Sequence, residues 1–398
     1  MNSKGQIGLY IHWPFCLSKC PYCDFNVHVR DQIDHDRWQA AYIRCLETYA
    51  ELTKGRVLAS IFFGGGTPST MKPEVVGSII DKARSLWPCV NDLDVTLEAN
   101  PTSIEADKFS AFKDAGVSRV SIGVQALNDA DLAFLGRAHS AADALRAIEI
   151  ASDTFDRFSF DLMYARPDQT LDNWCRELER AAMLARGHLS LYQLTIERNT
   201  PFHYDHAQGV FNIPNDGLAT DFYNLTQDVL SAKGLPAYEV SNHAEDGHES
   251  RHNLIYWHYG DYIGIGPGAH GRLTLEGQGG VGQGGQGREV QKFATREHHA
   301  PDVWLEKVEA FGRGAHPFEL LFHEDRFLEA LMMGLRLNKG VCLDHLSEQG
   351  GKLWENYVDL QRLKVAQDEG WIKRSTHSLC LTPSGILRLN ALIPYILK

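Results

Sequence analysis

From residue 6 to about residue 270, short runs rich in Val, Ile, Phe, Leu and Tyr alternate with longer stretches whose apolar positions recur every three or four residues. The short runs, 6–13, 57–63, 94–100, 119–125, 157–164 and 190–197, have the length and side chains of buried strands. Between them, Asp34 is placed to cap a helix carrying Trp38, Ile43, Leu46 and Leu52, and a later helix carries Trp174, Leu178, Ala181 and Leu184. Repeated strand–helix units predict an α/β fold with a parallel sheet and right-handed crossovers. Pattern alone leaves an open doubly wound sheet beside a partial (β/α)6 barrel. In either, functional residues collect at the carboxyl ends of the strands.

From about residue 315 the pattern changes. Helices are expected over 326–337 and 353–369, followed by a small hairpin made of 371–373 and 379–382. The chain therefore divides into a core at 1–275, a connecting segment at 276–314 and a small, mainly helical, winged-helix-like domain at 315–398. The connector holds the one low-complexity run, Gly-Gln-Gly-Gly-Val-Gly-Gln-Gly-Gly-Gln-Gly at 277–287, which is expected to be a mobile loop.

Composition narrows the function classes. The 398 residues carry a net charge of −12, with no basic tail, which argues against nucleic acid as a partner. The amino terminus lacks a basic region followed by an apolar run, and no stretch is long and apolar enough to span a bilayer, so a cytoplasmic protein is expected. Cys45, Cys89, Cys175, Cys342 and Cys380 are scattered singly and read as small core residues.

The other three cysteines, Cys16, Cys20 and Cys23, are spaced C-x3-C-x2-C. Three thiolates on one short loop can hold three irons of a [4Fe–4S] cluster and leave the fourth open, since such clusters usually have four Cys ligands. Zinc is the competing metal, with His12 or His28 completing a Cys3His site, but no second cysteine pair follows. Gly64-Gly65-Gly66-Thr67-Pro68 follows the second strand, where glycines let backbone approach a ligand and Thr67 adds a hydroxyl. Glu98, Gln125, Arg137 and Asp161 fall at or beyond later strand ends, where charged groups suggest a polar ligand or structural ion pairs. Tyr10 and Tyr22 offer aromatic faces beside the cysteine loop.

The cysteine spacing resembles the signature of the radical S-adenosylmethionine (SAM) superfamily, and the glycine run about 40 residues later looks like its SAM-binding segment. That resemblance implies a partial (β/α)6 barrel, a [4Fe–4S] cluster on Cys16, Cys20 and Cys23, and SAM on the open iron. Over nearly the full length the chain is similar to the oxygen-independent coproporphyrinogen III dehydrogenase (HemN) family. Glu98, Gln125, Arg137 and Asp161 match its SAM-contacting positions, and Tyr10, Tyr22, Gly65, Gly66 and Thr67 are candidates for the same SAM site.

Within that family, the dehydrogenases have a further cysteine two residues after the third and a longer amino-terminal extension. Here Phe25 occupies the cysteine position and 15 residues precede Cys16. Phe25 is similar instead to the HemW branch, the haem chaperones, as is the H-N-x-x-Y-W motif formed by His252, Asn253, Tyr256 and Trp257. An imidazole can ligate haem iron and aromatic rings can pack on a porphyrin. His258 and His270 lie nearby, so the axial ligand stays open.

The resemblance thus implies a haem chaperone supplying respiratory haem proteins, with room for transient contact with a membrane protein and for a cluster-dependent dimer. The alternative is an enzyme in which SAM cleavage yields a radical that drives oxidative decarboxylation of coproporphyrinogen III. The sequence does not settle enzymatic activity.

Overall fold

The structure, a computed structural model, describes residues 5–276 and 290–398. The glycine-rich run at 277–287 lies outside the described residues. Six strands, β1 (Gln6–Trp13), β2 (Val57–Gly65), β3 (Cys89–Ala99), β4 (Arg119–Gln125), β5 (Arg157–Tyr164) and β6 (His188–Gln193), pair in parallel in chain order. They form the partial barrel. The sixth strand starts and ends earlier than the apolar run suggested; its last ladder bond runs from the Leu194 N–H to the Tyr164 carbonyl at 2.8 Å.

Sequence pattern did not show how far the sheet continues. Beyond β6 it adds β7 (Asn242–Ala244), and beyond β1 it adds β8 (Asp261–Ile265), β9 (His270–Glu276), β10 (Val290–Arg296) and β11 (Glu319–Leu320), making eleven strands. Of these, β8 runs parallel to β1 and the others are antiparallel to their neighbours. Part of the segment read as a connector is therefore ordered sheet, together with a helix, Pro301–Phe311, whose Trp304 is fully buried.

The barrel strands alternate. One face of each carries buried apolar residues, such as Ile7, Leu9, Val95, Leu97, Val120, Ile122, Phe158 and Phe160, which pack against the outer helices. Among those helices are α1 (His35–Leu52), whose Asp34 accepts from the Arg37 N–H, and α2 (Leu171–Leu184), capped by Thr170. The inward face is polar: Thr96, Glu98, Arg119, Ser121, Ser159, Asp161, His188, Ser190 and Tyr192 surround a cavity of about 320 Å³.

The carboxyl-terminal part has its own core, built on Phe327, Leu331, Leu346, Trp354, Leu363, Leu379 and Ile396. Its helices include α3 (His323–Gly334), α4 (Leu343–Gly350), α5 (Leu360–Asp368) and α6 (Leu389–Ile396). The helix expected over 353–369 is interrupted. A single 3-10 turn, Trp354–Asn356, precedes Asp359, which caps α5 by accepting from the Gln361 and Arg362 N–H groups at 2.9 and 3.1 Å. The hairpin is present as Ile372–Arg374 and Ser378–Leu381, with Val341–Cys342 as a third strand.

Of the five single cysteines, Cys45 is buried, Cys89, Cys175 and Cys380 are half-buried and Cys342 is exposed. The core reading holds for Cys45 and is corrected for Cys342, which stands at the edge of the small sheet. None of the five forms a disulfide.

Candidate functional site

A cavity of about 580 Å³ opens at the carboxyl ends of the barrel strands, lined by Cys16, Cys20 and Cys23 together with Tyr22, Gly65, Gly66, Thr67, Glu98, Gln125, Arg137 and Asp161. Residues scattered over about 145 positions are thus gathered at one mouth because parallel crossovers place every strand's carboxyl end on the same side. Tyr10 lies deeper, lining the inner cavity below.

The cysteine loop is held from several directions. The Gly66 and Thr67 N–H groups donate to the Trp13 and Phe15 carbonyls at 2.7 and 2.8 Å, and a side chain at Gly66 would put its Cβ 2.6 Å from the Phe15 oxygen. On the far wall Gly136, at φ +65°, leaves room for Pro21, whose Cδ would lie 2.6 Å from a Cβ there. Asn26 donates to the Pro267 and His299 carbonyls, both at 2.9 Å.

Hydrogen bonds connect two of the sulfurs. Thr67 donates to Cys16 Sγ at 3.3 Å, and Asn100 Nδ2 donates to the Thr67 hydroxyl at 3.1 Å. Arg137 donates to Asn100 Oδ1 at 2.7 Å and to Cys20 Sγ at 3.3 Å. Donors of this kind stabilise sulfur that carries negative charge, as cluster ligands do. Burial pushes the Cys16 thiol up to about 11, so metal loading must release its proton. Among the described residues no three His, Cys, Asp or Glu side chains converge to hold a single metal ion.

Below the cysteines, Glu98 accepts from the Gly65 N–H at 3.1 Å. Burial, reinforced by Asp161, pushes its carboxyl up to about 8. Asp161 is itself pushed up to about 7 by burial, against the pull of Ser190, Arg119 and Arg137, and its Oδ1 has no partner. Two neighbouring carboxyls of this kind suit a cationic ligand, and SAM, with its sulfonium and amino groups, is one. Gln125 adopts φ +70°, unusual outside glycine, at the end of β4. The donor set, the acidic floor and the cavity size fit a cluster with SAM.

His252, Asn253 and Tyr256 of the H-N-x-x-Y-W motif line the inner cavity below, together with Tyr10, Glu98 and Asp161. Ser250 caps their short helix, Arg251–Trp257, which packs against β1 and β2. His252 is 1 % exposed, stacks on Phe62 at 5.0 Å, and has both ring nitrogens engaged: Nδ1 with Ser60 Oγ at 2.8 Å and Nε2 with the Tyr256 hydroxyl at 2.6 Å. Burial drives its pKa down to about 3. Asn253 bonds the Tyr238 hydroxyl, and Trp257 lies beneath Arg336 of the carboxyl-terminal part, 6.0 Å from its ring. His252 in this conformation therefore offers no free nitrogen to an iron. Of the two other histidines left open, His258 and His270 are both exposed.

Sequence reading passed over Asn100 as a site residue, as well as the inward Thr96, Arg119, Ser121, Ser159, Ser190 and Tyr192. The period-two polar positions inside otherwise apolar strands were the available signal. It also missed the structural task of His12, which bonds the Tyr10 hydroxyl and the Asn26 carbonyl, both at 3.0 Å, and so ties the inner barrel to the cysteine loop.

The radical SAM superfamily model matches residues 10–181, and the HemN C-terminal domain model matches 321–388. The chain is 38 % identical over 395 residues to the mitochondrial radical S-adenosyl methionine domain-containing protein 1 of Bos taurus, covering 98 % of this chain and 86 % of that one. It is 35 % identical over 398 residues to the heme chaperone HemW of Escherichia coli (strain K12), covering 99 % and 98 %. The solved structure of Escherichia coli coproporphyrinogen III oxidase HemN, described as a radical SAM enzyme, superposes with a TM-score of 0.78 at 20 % identity, over 98 % of this chain and 89 % of that one. At that identity it shows the shared fold.

Proposed function

The chain belongs to the HemW family of the radical SAM superfamily, and from that premise we propose that it is a haem chaperone that binds haem and delivers it to respiratory haem proteins. The observation that carries this reading is the end-to-end match to proteins named heme chaperones. Phe25, in the place of the dehydrogenases' additional cysteine, supports it. Cys16, Cys20 and Cys23 would hold a [4Fe–4S] cluster, with SAM resting on Gly65, Gly66, Thr67, Glu98, Gln125, Arg137 and Asp161.

The cluster, when bound, supplies one-electron chemistry and a coordination position for SAM. This chain's residues fix that position: Thr67 and Arg137 donate to cysteine sulfur, Gly65 holds the Glu98 carboxylate, and Glu98 with Asp161 sets the negative charge below. The motif at 252–257 serves in this conformation as a wall between the barrel and the carboxyl-terminal part. Haem ligation by His252 would require giving up Ser60 or Tyr256, and leaving a buried partner unpaired costs about 1–3 kcal/mol.

Among the described residues no helix is long and apolar enough to cross a membrane. We place the protein in the cytoplasm, with membrane-bound recipients reached by transient contact and with dimerisation tied to cluster loading.

The test is an anaerobic haem titration of cluster-loaded protein, followed by absorption, with free haem subtracted. Saturation near one haem per chain supports the chaperone. A linear, unsaturable signal, together with 5′-deoxyadenosine and decarboxylated porphyrin formed from coproporphyrinogen III and SAM, would establish the dehydrogenase instead.

A further inference from the structure

The sheet extension beyond β8 presents an imidazole-rich corner that the SAM cavity does not use. His270 on β9 pairs directly with Arg296 on β10. The His316 N–H donates to the Arg296 carbonyl at 2.9 Å and the His298 N–H to the Gly314 carbonyl at 3.0 Å, flanking the Ala315–Glu297 bridge. That register sets Arg296 opposite His316. Directly paired residues point to the same face of a sheet, so His270, Arg296 and His316 form a row across three strands. His298, two residues along, shares their face, and its ring lies 3.8 Å from that of His316.

The opposite face belongs to the core: Thr295 and Glu297 are buried, and Glu297 accepts from Tyr49 and Trp304 at 2.8 and 2.7 Å. The row itself is open, with His270 and Arg296 exposed. One step further along the face, Arg272 is bound by both carboxylate oxygens of Glu329, at 2.7 and 2.9 Å, which docks the carboxyl-terminal part there. On the other side the corner is bounded by the cysteine loop, which Asn26 ties to Pro267 and His299. That loop leaves Leu17, Phe25 and Val29 at 69, 64 and 54 % exposure. Leu17 and Phe25 also line the mouth of the SAM cavity. Exposed apolar side chains on the bounding loop, with imidazoles and a guanidinium on the sheet face, are the kinds of group that an iron porphyrin engages: an apolar face, an axial nitrogen and a cation for a propionate.

We propose that His270 is the axial ligand for haem and Arg296 the partner of a haem propionate, on the open corner between the cysteine loop and the carboxyl-terminal part. This rests on the haem-chaperone reading and relocates its ligand from the buried His252. His270 takes the role because its ring is exposed, whereas those of His298 and His316 face each other. Adjacent strands lie about 4.8 Å apart, which sets the Arg296 guanidinium within reach of the porphyrin edge when the iron stands over His270. An exposed site of this kind suits a carrier that must release its cargo, and its position next to the Arg272–Glu329 contact puts the haem at the margin of the carboxyl-terminal part.

The experiment uses full-length, cluster-loaded protein under anaerobic conditions, with ferric haem as the probe. Affinity and the Soret and visible bands are recorded for the wild type, His270→Ala, Arg296→Gln and His252→Gln. His270→Ala is expected to bind at least about tenfold more weakly and to lose the imidazole-ligated spectrum, with the spectrum restored by added imidazole. Arg296→Gln is expected to lose about three- to tenfold in affinity with an unchanged spectrum, the usual range for a charge-assisted contact at the surface. His252→Gln should keep the wild-type spectrum. If the wild type binds saturably and His270→Ala keeps both its affinity and its spectrum, the assignment to this corner is overturned while the chaperone reading stands. If the wild type itself shows no saturable binding, both fall.

Discussion

Replacing Glu98 by Gln removes one of the two acidic groups on the cavity floor while keeping an oxygen that can accept from Gly65. In the ligand-free protein the Glu98 carboxyl titrates near 8 rather than 4.5, chiefly through burial and secondarily through Asp161. At about 1.4 kcal/mol per pH unit, that displacement sets an upper bound of about 5 kcal/mol on the cost of ionising it in place. Glu98 faces a cavity that admits water, which lowers the cost to about 2 kcal/mol. A carboxyl with a raised folded pKa keeps its proton in the folded state after the unfolded chain has lost it. Its contribution to stability therefore falls as pH climbs from about 4.5 to about 8, and the loss is complete above that.

Glu98→Gln should thus raise the melting temperature of the cofactor-free protein at pH 8.5, by about 2–4 °C, and leave it unchanged near pH 4. SAM binding should respond in the opposite sense. A cationic ligand recovers the cost of ionisation, so the variant should bind SAM at least about tenfold more weakly at pH 8.5. Calorimetry of cluster-loaded protein, in buffers of different ionisation enthalpy at pH 6.5, 7.5 and 8.5, counts the protons released. The wild type should release more than the variant. Equal proton counts and equal affinities would refute a charge role for Glu98.

Other expectations follow from single contacts. Gly66→Ala forces a Cβ against the Phe15 and Trp13 carbonyls and should cost about 1–3 kcal/mol. The strain lands on the segment leading into Cys16, so iron per chain after anaerobic reconstitution should drop, while Gly217→Ala, in a helix with room around it, should load normally. Ser60→Ala leaves His252 Nδ1 buried without a partner and should lower stability to chemical denaturation by about 1–3 kcal/mol; an unchanged midpoint would mean that the motif is loosely held. Arg272→Ala removes both bonds to Glu329, which the Tyr259 hydroxyl also contacts at 2.7 Å. Amide exchange should then quicken in α3, with the barrel strands unaffected.

Much of this architecture was legible because strand and helix periodicities are local. The limits of β1, β4 and β5 coincide with the apolar runs that announced them, and Asp34 caps its helix as its side chain predicts. The antiparallel extension was not legible: β9, β10 and β11 carry mixed, half-exposed residues, and β8, through which they join the sheet, pairs with β1 from the far end of the barrel sequence. The cysteine, glycine and strand-end residues could be assembled because a parallel fold converges its carboxyl ends. The state of His252 could not, since the bonds that occupy its two nitrogens come from Ser60, 192 positions away, and from Tyr256 on its own helix. A sequence motif names residue types, whereas availability for ligation depends on what folding packs around them.

The most direct test of the central claim is delivery. Haem-loaded, cluster-loaded protein would be mixed anaerobically with a haem-free respiratory haem protein in vesicles, and recovery of the recipient's spectrum followed against equal free haem and against protein with Cys16, Cys20 and Cys23 replaced by Ala. The account predicts recovery faster than from free haem and slowed by loss of the three cysteines. Recovery no faster than from free haem would contradict it.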